Sequence, residues 1–127
     1  MPWSQRNTGT ADKRRTHRRP VLYRLDITNS SDVLVGYLVD ISGGGMRVRC
    51  VPGIEVSLVD ELCIVLPRWM DMSKTLTMQG RFAWCRPFSD GRLEAGFVFG
   101  DHGDAQHATL ESLIEKIAEA AIEDQDL

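Results

Sequence analysis

The rhythm of turn-forming residues between residues 21 and 99 most constrains what this chain can become. Asn29-Ser30-Ser31-Asp32, Gly43-Gly44-Gly45, Pro52-Gly53 and Ser89-Asp90-Gly91 separate short runs rich in β-branched and aromatic residues. Such runs are too short for stable helices but suit strands. The spacing predicts strands near 21–27, 33–40, 46–50, 61–66, 75–85 and 92–99. In Met46-Arg47-Val48-Arg49-Cys50 the arginines share one face and the apolar residues the other, as a half-buried strand requires. Six short strands in about 80 residues predict a small antiparallel barrel or sandwich, because closure hides the unpaired edges.

The period then changes. Leu110, Leu113, Ile114, Ile117 and Ala121 form one stripe of a helix predicted over about 104–123, with Asp104 as its expected N-cap. Glu111, Glu115, Glu119 and Glu123 repeat every fourth residue on another face, with Lys116 the one base nearby. This acidic face reads either as solvated surface or as an interaction face for a basic partner or the protein's own N-terminal arm.

A length of 127 residues suits one hydrophobic core. Residues 1–13 are polar and aperiodic and read as a flexible leader; 14–127 read as one domain, with the barrel over about 20–100. The formal charge of −3 is bland, yet its placement is not. Residues 1–24 hold seven bases and one acid, while 101–127 hold eight acids and one base. A chain so polarised uses one end for something. Cys50, Cys63 and Cys85 show no metal-ligand spacing and read as buried, reduced thiols. No apolar run is long enough to span a membrane, and no apolar stretch follows the basic N-terminus, so the expectation is a soluble cytoplasmic protein.

Two motifs carry chemistry. Arg14-Arg15-Thr16-His17-Arg18-Arg19 sets four guanidiniums in six positions, each a planar fork of donors matched to phosphate oxygens or to the O6 and N7 edge of guanine. Taken alone, it is equally a solubilising or nonspecific polyanion-binding tail. Asp40-Ile41-Ser42-Gly43-Gly44-Gly45 ends the second predicted strand. A carboxylate and a hydroxyl two residues apart point to the same side, where they accept from and donate to one flat ligand. The glycines are expected to turn with positive φ and to let a ligand approach without meeting a Cβ. A tight hairpin is the plainer alternative.

Together, in this order, the motifs resemble those of the PilZ family of bacterial cyclic di-GMP receptors, RxxxR (often RRxxxR) and (D/N)xSxxG. Here they stand as Arg15-Thr16-His17-Arg18-Arg19 with Arg14 as the extension, and as Asp40-Ile41-Ser42-Gly43-Gly44-Gly45. Arg14 and Arg18 offer a second register at the same spacing. The resemblance extends from Lys13 to the final helix, and Gly80 to Arg86 with Glu94 to Phe99 look like its last two strands. It implies a six-stranded antiparallel β-barrel with a C-terminal helix. It further implies that Arg14, Arg15 and Arg19 hold phosphate and guanine, that Asp40 accepts guanine N–H groups, that Ser42 completes the polar set and that Gly45 permits the turn. Arg18, Gly44 and Trp84 are further candidates, Trp84 as a stacking surface or as ordinary strand packing. An arginine directly before RxxxR implies two intercalated ligand molecules per protomer.

The expected mechanism is ordering. Ligand phosphates draw the basic arm onto the barrel and create a surface, which a chain without an output module reads out through a protein partner in trans. No cofactor other than this ligand is expected. Catalysis is not expected, since His17, His102 and His107 are poorly placed and no nucleophile elbow, phosphate loop or metal spacing occurs. The rival reading is an OB-like barrel binding nucleic acid through the arm. Against it, Tyr23 is the one aromatic close to the arginines, and the rest of the chain is acidic.

Overall fold

In the computed structural model the described residues are 19–21, 23–72 and 74–125; for 19 and 121–125 the backbone alone is described. The leader and the arginines at 14, 15 and 18 lie outside this range. Seven strands follow one another: β1 (Arg19–Pro20), β2 (Asp26–Thr28), β3 (Leu34–Ser42), β4 (Gly45–Cys50), β5 (Glu61–Val65), β6 (Thr75–Pro87) and β7 (Leu93–Phe99). Helix α1 (Asp104–Gln125) closes the order.

All pairings are antiparallel, and the sheet closes: β2 pairs with β3 and β5, β5 with β6, β6 with β7, β7 with β4, and β4 with β3. β1 and β2 lie end to end along β3, pairing Pro20 with Asp40 and Asp26 with Tyr37. They count as one barrel stave, which makes a six-stranded antiparallel barrel with a C-terminal helix.

The expected strand 21–27 is thereby corrected. From Pro20 to Asp26 the chain advances six residues while its partner retreats three, so the stave is interrupted between two short pieces. Its ends are stitched by Val21 N–H donating to Val39 O and Leu38 N–H donating to Leu25 O, both near 3 Å. The alternation of Val21, Tyr23, Leu25 and Ile27 suits a strand, but the surplus residues leave the ladder.

Inward positions of the strands fill the core: Ile27, Val35, Ile41, Met46, Val48, Leu62, Ile64, Met78, Ala95 and Phe97 are fully buried. Leu110, Leu113 and Ile117 of α1 join them, as the stripe predicts, at about 1.5–3 kcal/mol for each large side chain buried. The helix start differs from expectation. His107 N–H donates to Gly103 O, so Gly103 is the N-cap and Asp104 the first helical residue. The Gln106 side chain reaches back to Gly103 N–H, half of a capping box, and its amide donates to Thr77 O at 2.6 Å, tying α1 to β6. Asp104 still favours the positive helix end. Glu111, Glu115 and Glu119 are exposed.

The cysteines diverge from one another. Cys50 is buried, Cys63 partly so and Cys85 exposed, all three as free thiols, so only Cys50 matches the expected burial.

Candidate ligand-binding site

Asp40 and Ser42 flank the core residue Ile41 on β3 and so share the outward face of the barrel. Both are nearly inaccessible, at 3% and 1% exposure. Ser42 shapes the turn into β4: Gly44 N–H donates to its Oγ (3.3 Å), and its hydroxyl donates to Gly45 O (3.5 Å). The expected positive φ is not used at this turn, because among the described residues the glycines with positive φ are Gly53 and Gly91. A two-residue turn at Gly43-Gly44 joins Ser42 directly to its partner Gly45, and the chain closes without it.

The arginine run meets this segment through the backbone. Arg19 pairs with Ile41 and Pro20 with Asp40, so the last motif arginine is strand-paired to the Asp-x-Ser segment. Arg14, Arg15 and Arg18 lie outside the described residues.

Cross-strand register extends the site. Asp40 faces Arg47 on β4, Arg47 faces Gly96 on β7, and Gly96 faces Trp84 on β6. One pleat away a second row runs Tyr37, Arg49, Glu94, Arg86. Arg47 Nη2 contacts Asp40 Oδ2 at 2.5 Å. Trp84 lies over Gly96 so closely that a Cβ there would stand 2.3 Å from the indole nitrogen. Arg47 Nε and Trp84 Nε1, on either side of Gly96, are buried donors with no acceptor among the described residues. Arginines and aromatics alternate nearby: Arg24 over Tyr37 and Arg49 over Phe88, each 4.1 Å from the ring centre, and Arg86 5.8 Å from Trp84.

Arg47, Glu94 and Arg86 escaped the reading of motifs. Hairpin arithmetic finds the first: with Gly43-Gly44 as a two-residue turn, Asp40 falls opposite Arg47. Glu94 and Arg86 join through long-range register, which no local signal announces. No helix among the described residues is long and apolar enough to cross a membrane, and no group of three or more potential metal ligands occurs among them.

The sequence matches the PilZ domain family over residues 12–116, and the chain belongs to that family. A search of curated proteins finds no match. Among solved structures, the PilZ domain of YcgR from Escherichia coli with c-di-GMP is similar at 17% identity and a TM-score of 0.69, covering 90% of this chain and 98% of that one. The inhibitor of motility MotI/DgrA of Bacillus subtilis is similar at 12% identity and a TM-score of 0.60, covering 86% of this chain and 52% of that one. MrkH of K. pneumonia in its apo state follows at 10% identity and 0.62, covering 84% and 52%. This chain thus spans about half the length of the latter two.

Proposed function

We propose that this chain is a cyclic di-GMP receptor and adaptor in second-messenger signalling. The observation that carries the reading is the strand pairing of Arg19 with Ile41, which sets the end of the arginine run beside Asp40 and Ser42. Four residues span at most about 14 Å, which bounds the distance from Arg19 at which Arg15 can act. Arg14, Arg15 and Arg19 take phosphate and the Hoogsteen edge of guanine, Asp40 accepts guanine N–H groups, and Ser42, Gly44 and Gly45 keep the turn tight beneath the ligand. Arg18 supplies a further cation, and Trp84 offers an indole face for stacking. Solved relatives support the ligand class, since YcgR is described with c-di-GMP.

Binding closes the arm on the barrel, and the surface so made recruits a protein partner in trans. The outer face of a barrel is convex, so one side of the ligand is covered only when the arm joins. Arg14 adds donors enough for two intercalated ligands.

Calorimetry with cyclic di-GMP on the wild type, Arg15→Ala and Asp40→Ala tests the reading. Micromolar or tighter binding that both substitutions abolish is the expected result, with stoichiometry read from the same isotherm. Folded wild-type protein giving no heat at tens of micromolar ligand overturns it. Tight, steeply salt-dependent binding of oligonucleotides in preference to the dinucleotide would favour the nucleic-acid alternative instead.

A further inference from the structure

Glu94 lies on the outer face of β7, yet its side chain is only 3% exposed. A carboxylate so far out of water is costly unless cations surround it. Three do. Arg86 donates from Nε (3.1 Å) and Nη2 (2.7 Å) to Oε1, Arg49 Nε lies 3.4 Å from Oε2, and Arg47 Nη1 lies 3.6 Å from Oε1. Arg47 is distinct among them because its other terminal nitrogen holds Asp40. One guanidinium therefore bridges two buried carboxylates on β3 and β7, strands that flank β4 on either side.

We propose that Glu94 is a positioning residue for nucleotide recognition: it pins the far end of Arg47, and the pinned Arg47 fixes the Asp40 carboxylate that meets guanine. The inference rests on the reading of Asp40 as the guanine acceptor. A guanidinium paired at one end with Asp40 and drawn at the other by the Glu94 carboxylate 3.6 Å away is restricted in the orientations it takes. Anchored at Asp40 alone, Arg47, whose side chain is 32% exposed, has room to swing toward water and to change the direction from which it meets the Asp40 carboxylate. Arg49 and Arg86 serve Glu94 as counter-charges, and Phe88 beneath Arg49 holds that guanidinium in place.

Charge and geometry act in opposite directions here, which makes the inference testable. Glu94→Gln removes one negative charge from a face that is to receive a dianion, so a purely Coulombic role predicts tighter binding. Positioning predicts weaker binding, on the order of tenfold, the middle of the range for coupled neighbours. Glu94→Asp keeps the charge but withdraws the carboxylate, and the same loss is expected.

The experiment is calorimetry with cyclic di-GMP on the wild type, both Glu94 variants, Arg47→Gln and the double variant Arg47→Gln/Glu94→Gln. Because Glu94 acts through Arg47, adding Glu94→Gln to Arg47→Gln is expected to change affinity by less than about twofold. Side-chain nitrogen NMR of the wild type supplies a readout independent of whether any variant folds: slow guanidinium rotation at Arg47 is expected. Free rotation there, or Glu94→Gln binding as tightly as wild type or more tightly, overturns the inference. A wild type that binds no cyclic di-GMP overturns the receptor reading itself, an outcome distinct from wild-type binding with an indifferent Glu94.

Discussion

Gly96→Ala places a methyl group where the Trp84 indole now lies. The new Cβ would stand 2.3 Å from Nε1, 2.5 Å from Cε2 and 2.9 Å from Cζ2, against an ordinary contact near 3.5–4 Å. The offending atoms belong to a rigid ring, so no small torsion relieves all three, and the indole must lift by more than about 1 Å. Lifting exposes roughly half of a Trp side chain, on the order of 100 Å², which costs about 2.5 kcal/mol at 25 cal/mol per Å². Replacing a strand glycine returns about 0.5–1 kcal/mol of backbone entropy. The net is about 1.5–2 kcal/mol, or a Tm lower by roughly 5–8 °C for a domain of this size.

Two assays follow the displacement. Thermal unfolding reads the stability change, and fluorescence in a Trp3→Phe/Trp69→Phe background isolates Trp84, whose emission is expected to shift to the red. Stacking on an aromatic is worth about 1–3 kcal/mol per base, so the proposed role of Trp84 predicts cyclic di-GMP affinity at least about fivefold weaker in Gly96→Ala. A Tm within 2 °C of wild type together with unchanged emission would refute the packing argument. Displaced emission with unchanged ligand affinity would refute the stacking role alone.

Gly36→Ala, the same substitution on β3, is expected to cost far more, about 3 kcal/mol or above, because the added Cβ would meet the β4 backbone, 2.0 Å from Arg49 O. Soluble expression and chemical denaturation check this; a stability within 1 kcal/mol of wild type would contradict it. Burial pushes the Cys50 thiol from the ordinary 9.0 up to about 11, with Cys85 and Glu94 nearby adding to the effect. The folded protein then keeps a proton that the unfolded chain loses, so the contribution is constant below about pH 9 and falls at up to about 1.4 kcal/mol per pH unit as pH rises toward 11. Urea unfolding of wild type and Cys50→Ala between pH 8 and 11 is expected to show a shallower alkaline decline in the variant, and equal slopes would refute the assignment.

How far the sequence speaks for itself depends on the range of the contact. The strands at 61–65 and 93–99 and the helix stripe follow from local period, because one buried face dictates spacing within a single element. The interruption at 21–25 is invisible to that logic. Val21, Tyr23, Leu25 and Ile27 fall at alternate positions, interrupted only by the apolar Leu22, and only pairing with β3 reveals that three residues are surplus. Exposure of Cys85 is equally a property of neighbours, and no feature of Ala83-Trp84-Cys85-Arg86 declares it. At the site, Asp40 and Ser42 are legible as a motif and Arg47 through its hairpin, whereas Glu94 enters from β7, whose register with β4 is set by closure of the whole barrel.

That order of legibility bears on why ionic residues occupy the outer face at all. Two carboxylates below about 5% exposure, compensated by three guanidiniums, are a poor device for stability, since apolar replacements of buried ion pairs are often neutral or stabilising by about 1–4 kcal/mol. The buried core of the barrel and α1 already supplies a large apolar term without them. What a buried ionic network does supply is direction: a guanidinium held between two fixed anions has one orientation, and an apolar substitute has none to impart. On the proposed reading, the network also reconciles a net charge of −3 with an anionic ligand. Its carboxylates are buried and bound to arginines, while Arg49 and Arg86 keep exposed edges, so an approaching dianion meets cations before it meets Asp40 or Glu94. The character of this face is therefore a matter of which charges are exposed and which are held beneath them, and net charge is blind to that distinction.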